Sequence, residues 1–227
     1  MVIDTYTHMN RTFDENVDFF NHGYSPPYPQ YNSFLMKNRM SLYHYLIKDI
    51  DADNKKILDV GCGRGGFSRV YNNFNFSEIH GCDVSVANIN FAEEMYECAT
   101  FKLCDAHNLT DFYEEGYFDV ITNLESAHHY NDRNLFFRQA KKILKKEGVF
   151  IYSDVDAYID DYFDVIIKDD ITENVKRSTS EILEECNLIN DPDIKSFVVP
   201  LAEHAYNLYH KDGKKYIKYT CYDKERK

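Results

Sequence analysis

Two neighbouring histidines and one distant aspartate are the residues of this chain best suited to moving a proton. The run Asn123-Leu124-Glu125-Ser126-Ala127-His128-His129-Tyr130 puts several polar groups directly after the apolar stretch Phe118-Asp119-Val120-Ile121-Thr122, and Tyr152-Ser153-Asp154 ends a second such stretch. Histidine titrates near neutrality, so His128 or His129 can take a proton from a bound acceptor, with Asp154 orienting or sharing it. Two adjacent histidines rarely both face one pocket, so one of the pair is expected to act. Each group also has a plainer reading: the histidines as the start of a helix, Asp154 as a strand-end acid. Glu125 is expected to orient the loop or touch a ligand, and Asp119 to be structural.

A second constellation can hold a ligand. Ile57-Leu58-Asp59-Val60-Gly61-Cys62-Gly63-Arg64-Gly65-Gly66 reads as a strand turning through glycines, where the backbone can approach a ligand that any Cβ would meet. The N-terminus of the following helix offers free N–H groups to an anion. Alone, this fits any nucleotide fold. Asp83 ends the next strand 22 residues after Gly61, where an acid can accept both hydroxyls of an adenosine ribose; a strand-end turn is the alternative. Asp105, beside Ala106, can accept from an adenine amino group or cap the next segment.

The elements that position these groups follow from hydrophobic patterning. Residues 31 to 50 carry Leu35, Leu42, Tyr45, Leu46 and Ile50 at helical spacing, after a loop closed by Pro26, Pro27 and Pro29. From residue 55, strands are expected at Lys56 to Val60, Glu78 to Asp83, Thr100 to Cys104, Phe118 to Thr122 and Val149 to Asp154. Helices are expected at 65 to 72, 86 to 97, 108 to 114 and 132 to 146. This alternation predicts a mostly parallel sheet with helices on both faces. Ser178-x-x-Glu181 reads as a capping box opening a helix. A sixth strand near Lys195 to Val199, a helix over 200 to 210 and a last strand at Lys215 to Cys221 complete seven. The organisation is a helical cap over residues 1 to 50 and one α/β unit over 51 to 227.

Together, the glycine turn, Asp59 before it, Asp83 and Asp105 resemble the class I S-adenosylmethionine-dependent methyltransferases. The resemblance covers residues 55 to 154 well and the rest loosely. It implies a Rossmann-like seven-stranded sheet of order 3-2-1-4-5-7-6, strand 7 antiparallel, with S-adenosyl-L-methionine as cofactor. Gly61, Gly63 and Gly65 would meet the methionine moiety, Asp83 the ribose, Asp105 and Ala106 the adenine, with Asp59, Asn123 and Glu125 also at the cofactor site. The segment from Glu125 to Tyr130 is similar to that of natural-product sugar O-methyltransferases and their small-molecule relatives, which implies His128, His129 and Asp154 as base machinery. Asn21-His22-Gly23-Tyr24 resembles a segment in which a tyrosine covers the cofactor. Ser25 stands where the family has Trp, so Tyr24 is a cofactor or gating candidate, or an aromatic anchor.

The expected reaction is metal-independent methylation of a small-molecule acceptor, at a hydroxyl. N- or C-methylation of a lipid, quinone or amine, and a non-catalytic cofactor-binding partner subunit, stay open. No N-P-P-Y-like motif follows the fourth strand, and no Asp-Asn pair after Asp154 suggests magnesium. A net charge of −12 disfavours a phosphate backbone as partner. The six cysteines show no C-x-x-C pair and read as reduced thiols; with no apolar run of about 18 residues, a soluble cytoplasmic protein is expected, compatible with a homodimer. The family's lid between strands 6 and 7 is expected to be short here, or replaced by residues 155 to 177 and the N-terminal segment.

Overall fold

The computed structural model describes residues 18–159 and 162–223. Helix α1 (Lys37–Ile47) precedes β1 (Lys56–Val60), α2 (Phe67–Tyr71), β2 (Glu78–Asp83), α3 (Val86–Met95), β3 (Thr100–Leu103) and β4 (Phe118–Leu124). Then follow α4 (Arg133–Ile143), β5 (Leu144–Val155), β6 (Val165–Asp170), α5 (Thr172–Asn187), α6 (Pro192–His210) and β7 (Tyr216–Tyr222). The strands form one sheet of order β3-β2-β1-β4-β5-β7-β6, in which β7 runs antiparallel to both β5 and β6. All other pairings are parallel, so β1, β2, β4 and β5 end on one edge. Strand order reverses between β1 and β4, and ligand crevices open at such a switch point.

Side-chain alternation loads both faces of the sheet. Ile57, Val120 and Ile151 join one apolar cluster, while their chain neighbours Leu58, Ile121 and Phe150 join the other. Helix α4 shows how a sequence becomes a covering helix: Asp132 caps it by accepting from the Leu135 N–H at 2.8 Å, and Phe136, Phe137, Ala140 and Ile143 form its buried stripe.

The first five strands and their helices follow the expected order, with β5 starting earlier, at Leu144, and a 3₁₀ segment (Ala106–Asp111) in place of the helix at 108 to 114. The second half departs in three ways. Lys195 to Val199 is not the sixth strand. It lies within α6, because Asp191 accepts from the Asp193 and Ile194 N–H groups at 2.9 and 3.0 Å and Pro192 occupies the first turn, starting a helix that the β-branched pair Val198-Val199 does not interrupt. The sixth strand is the acid-flanked Val165–Asp170. Nor is Ser178 a cap: the helix opens at Thr172, and the buried Ser178 hydroxyl donates to the His22 carbonyl at 2.8 Å. The cover is therefore not short; the helix pair α5 and α6 stands between β6 and β7. Among the described residues, no helix is long and apolar enough to cross a membrane.

Phe137 packs edge-on against Phe150 and Tyr152 with ring centroids 6.0 and 5.4 Å away. Phe137→Ala should lower unfolding free energy by about 3–5 kcal/mol, read as a lower urea midpoint at unchanged slope.

Candidate active site

At the end of β1 the chain turns through Gly61 with φ +73°, a left-handed conformation that disfavours side chains. A Cβ on Gly61 would stand 1.9 Å from the Ser126 hydroxyl, so glycine lets the loop after β4 close on the turn. Gly63 also has positive φ but faces open space, with nothing within 4 Å of an added Cβ. Its N–H donates to Asp83 at 2.9 Å. Asp83 also accepts from the Ser85 N–H at 2.8 Å and the Asn88 amide at 3.3 Å. Burial raises the pKa of Asp83 against these hydrogen bonds.

A cavity of about 1000 Å³ opens over this edge of the sheet. Gly61, Gly63, Asp83, Asp105 and Ala106 line it, as do Glu125, His128 and His129. Asp105 also caps the 3₁₀ segment, accepting from the His107 N–H at 2.9 Å. Five expected site residues lie off the wall. Asp59 is buried behind the turn, accepting from Thr122 at 2.6 Å and Tyr43 at 3.3 Å, and burial pushes its carboxyl up to about 7. Asn123 is also buried and donates to the Val60 carbonyl at 2.8 Å, tying β4 to β1. Gly65 faces Ala92 and Phe101, where a Cβ would come within 2.8 Å of both. Tyr24 stacks on Tyr45 with ring centroids 4.4 Å apart. Asp154, with 0% of its surface exposed, lies behind the wall and meets it through His128.

That contact organises the histidine pair. His128 Nδ1 lies 2.8 Å from an Asp154 oxygen, and its backbone N–H donates to the other at 3.2 Å. Burial works against charging the His128 ring, but the Asp154 hydrogen bond and charge outweigh it, and the net shift of its pKa is upward. His129 packs on His128 with centroids 3.8 Å apart; burial, then the charge of His128, lowers its pKa.

Two further residues on the wall were not legible beforehand. His22 sits 2.7 Å from the Tyr209 hydroxyl through Nδ1, and its backbone N–H donates to Glu125 at 2.9 Å. Burial pushes the His22 imidazole down to about 3, so it stays neutral. Arg39 shares a face of α1 with Met36 and Tyr43 and donates from Nε to the Asn21 carbonyl at 3.2 Å. The resemblance around His22 points to Tyr24, while the pattern over residues 31 to 50 shows only an apolar stripe. Glu125, with φ 47°, also accepts from the Tyr216 hydroxyl at 2.7 Å, so it joins the N-terminal segment to β7.

A family model described as a methyltransferase domain matches residues 51–221. The chain belongs to the methyltransferase-domain family. Among curated proteins it is 30% identical over 152 residues to a fatty-acid O-methyltransferase of Mycolicibacterium smegmatis, a match that covers 63% of this chain and 55% of that one. The chain spans about half the length of the curated relatives it matches at this level. Among solved structures, the [4+2]-cyclase SpnF superposes with a TM-score of 0.70 at 16% identity, covering 97% of this chain and 93% of the other. Geranyl diphosphate C-methyltransferase from Streptomyces coelicolor A3(2), solved with Mg2+, geranyl diphosphate and S-adenosyl-L-homocysteine, superposes with a TM-score of 0.68 at 15% identity, covering 97% of each chain. A shared fold does not fix the chemistry, which depends on the groups at the site.

The raised carboxyl of Glu125, driven by burial up to about 7 against an ordinary 4.5, links stability to pH. The folded state holds this proton more tightly, so the contribution is fully present below pH 4.5 and is lost as pH rises through about 7. Urea unfolding of Glu125→Gln across that window should show a shallower fall in stability than the parent, by on the order of 2–3 kcal/mol.

Proposed function

We propose that this protein transfers a methyl group from S-adenosyl-L-methionine to a hydroxyl of a small-molecule acceptor, with His128 as the base. The observation that carries the proposal is the 2.8 Å contact between His128 Nδ1 and the buried Asp154, on the wall of the cavity that also holds the glycine turn and Asp83. The cofactor fits this wall. Asp83 Oδ1 accepts from both the Ser85 N–H and the Asn88 amide and Oδ2 from the Gly63 N–H, so of its roughly four lone-pair sites the one left, on Oδ2, can take a ribose hydroxyl. Gly63, with open space where a Cβ would stand, leaves room beside it. Arg39, which lines the cavity on α1 beside Tyr43, is the proposed partner of the methionine carboxylate.

When bound, the cofactor supplies an electrophilic methyl, whose bond to sulfur breaks as the acceptor oxygen takes it, leaving the electron pair on sulfur. The chain's part is to align the acceptor and remove its proton. With Nδ1–H donating to Asp154, the Nε2 lone pair of His128 is free to accept the hydroxyl proton, and Asp154 stabilises the imidazolium that forms. Asp154 is thus a positioning residue. His129, whose pKa moves the other way, is the lesser candidate for this step.

His128→Ala should lower kcat by about 10²- to 10⁴-fold while leaving S-adenosylhomocysteine affinity within about twofold, whereas His129→Ala should lower kcat less. In the parent, kcat should rise with pH through a value above 6.5, the ordinary histidine pKa, and then level, because only the neutral ring accepts a proton. A flat profile across neutrality, with full turnover in His128→Ala, would instead favour N- or C-methylation.

A further inference from the structure

The cavity walls divide by chemistry. Opposite the carboxylates of the glycine-turn side, α6 presents Val198, Leu201, Ala202, Ala205 and Leu208, spaced three and four apart on one helix face. Helix α5 adds Thr179, Ile182 and Cys186 at the same kind of spacing. Ile182, Cys186, Val198 and Ala202 form an apolar cluster separate from the two that cover the sheet. The two helices therefore pack on each other through residues that also border the cavity. Leu201, on that face, keeps 40% of its surface exposed. On the α5 and α6 wall, among the described residues, only His204 can carry a charge near neutrality.

The Leu208 end of the stripe is tied to the chain that leaves β5 after Asp154. The Lys214 N–H donates to the Leu208 carbonyl at 2.9 Å, and the Lys214 ammonium pairs with Asp156 at 2.7 Å, two residues beyond Asp154. From Leu208 to Val198 the stripe extends about 15 Å along the helix, at 1.5 Å per residue.

We propose that the acceptor is amphipathic, with its reacting oxygen at His128 and an apolar chain of about ten carbons lying along α6 from Leu208 toward Val198. This rests on the methyl-transfer reading of the same site. Each methylene that leaves water for this wall strengthens binding about three- to fourfold, until the chain reaches the end of the stripe. Ala202, small and midway along it, sets how far the chain can extend.

Calorimetric titration of the full chain with hexanoate, octanoate, decanoate, dodecanoate and tetradecanoate, and with the matching primary alcohols, tests the channel. Affinity should rise about tenfold for each two carbons up to decanoate or dodecanoate and then level off. In Ala202→Phe the plateau should arrive at a shorter chain, with S-adenosylhomocysteine affinity unchanged. Chain-length-independent binding in the parent, or an unmoved plateau in a folded Ala202→Phe, overturns the proposal. The series is run with and without S-adenosylhomocysteine. Failure of the cofactor itself to bind counts against the methyl-transfer reading, while the chain-length profile alone decides the channel. A preference for the carboxylates or for the alcohols identifies the head.

Discussion

A carboxylate sealed from solvent must find donors or give up its charge, and Asp154 finds three. The His128 ring, the His128 backbone N–H and the Val155 N–H all meet it, at 2.8, 3.2 and 2.8 Å. Two of the three come from the short segment after β4, so the acid at the end of β5 dictates where that segment lies and how its first histidine is turned. Much of the site follows from this placement. The loop that carries His128 also carries Glu125, which fastens the N-terminal segment and β7, and Ser126, which lies where a Cβ on Gly61 would stand.

The sheet makes this meeting unavoidable. β4 pairs in parallel with β1 on one side and β5 on the other, so the glycine turn, the histidine segment and Asp154 emerge together at one edge. Groups behind that edge have a different task. Asp59 and Asn123 are buried and bind Thr122, Tyr43 and the Val60 carbonyl, which fixes the strand ends against one another. The expected cofactor residues thus divide, among the described residues, into those that line the cavity and those buried behind it.

What was legible beforehand follows from how locally each feature is encoded. β1 and β2 were bounded correctly because apolar runs end abruptly at Gly61 and at Asp83. β6 was hidden because Asp169 and Asp170 end it, as befits an edge strand, while Lys195 to Val199 imitated a strand through its β-branched residues. The deciding signal there was Asp191-Pro192, a helix start that outweighs local β-propensity. His22 and Arg39 reach the cavity because Glu125, Tyr209 and the Asn21 carbonyl meet them there, contacts set by tertiary structure that leave no local pattern. His128 and Asp154 could be nominated by residue type, but their contact spans 26 positions and had to be seen.

Whether Asp154 orients His128 as a base can be read from nitrogen NMR of the His128 ring across pH, in the parent and in Asp154→Asn. The neutral ring should carry its proton at Nδ1 and titrate above 6.5 in the parent, and lower once the carboxylate is removed. A neutral ring protonated at Nε2, or a His128 titration that Asp154→Asn leaves in place, would contradict it.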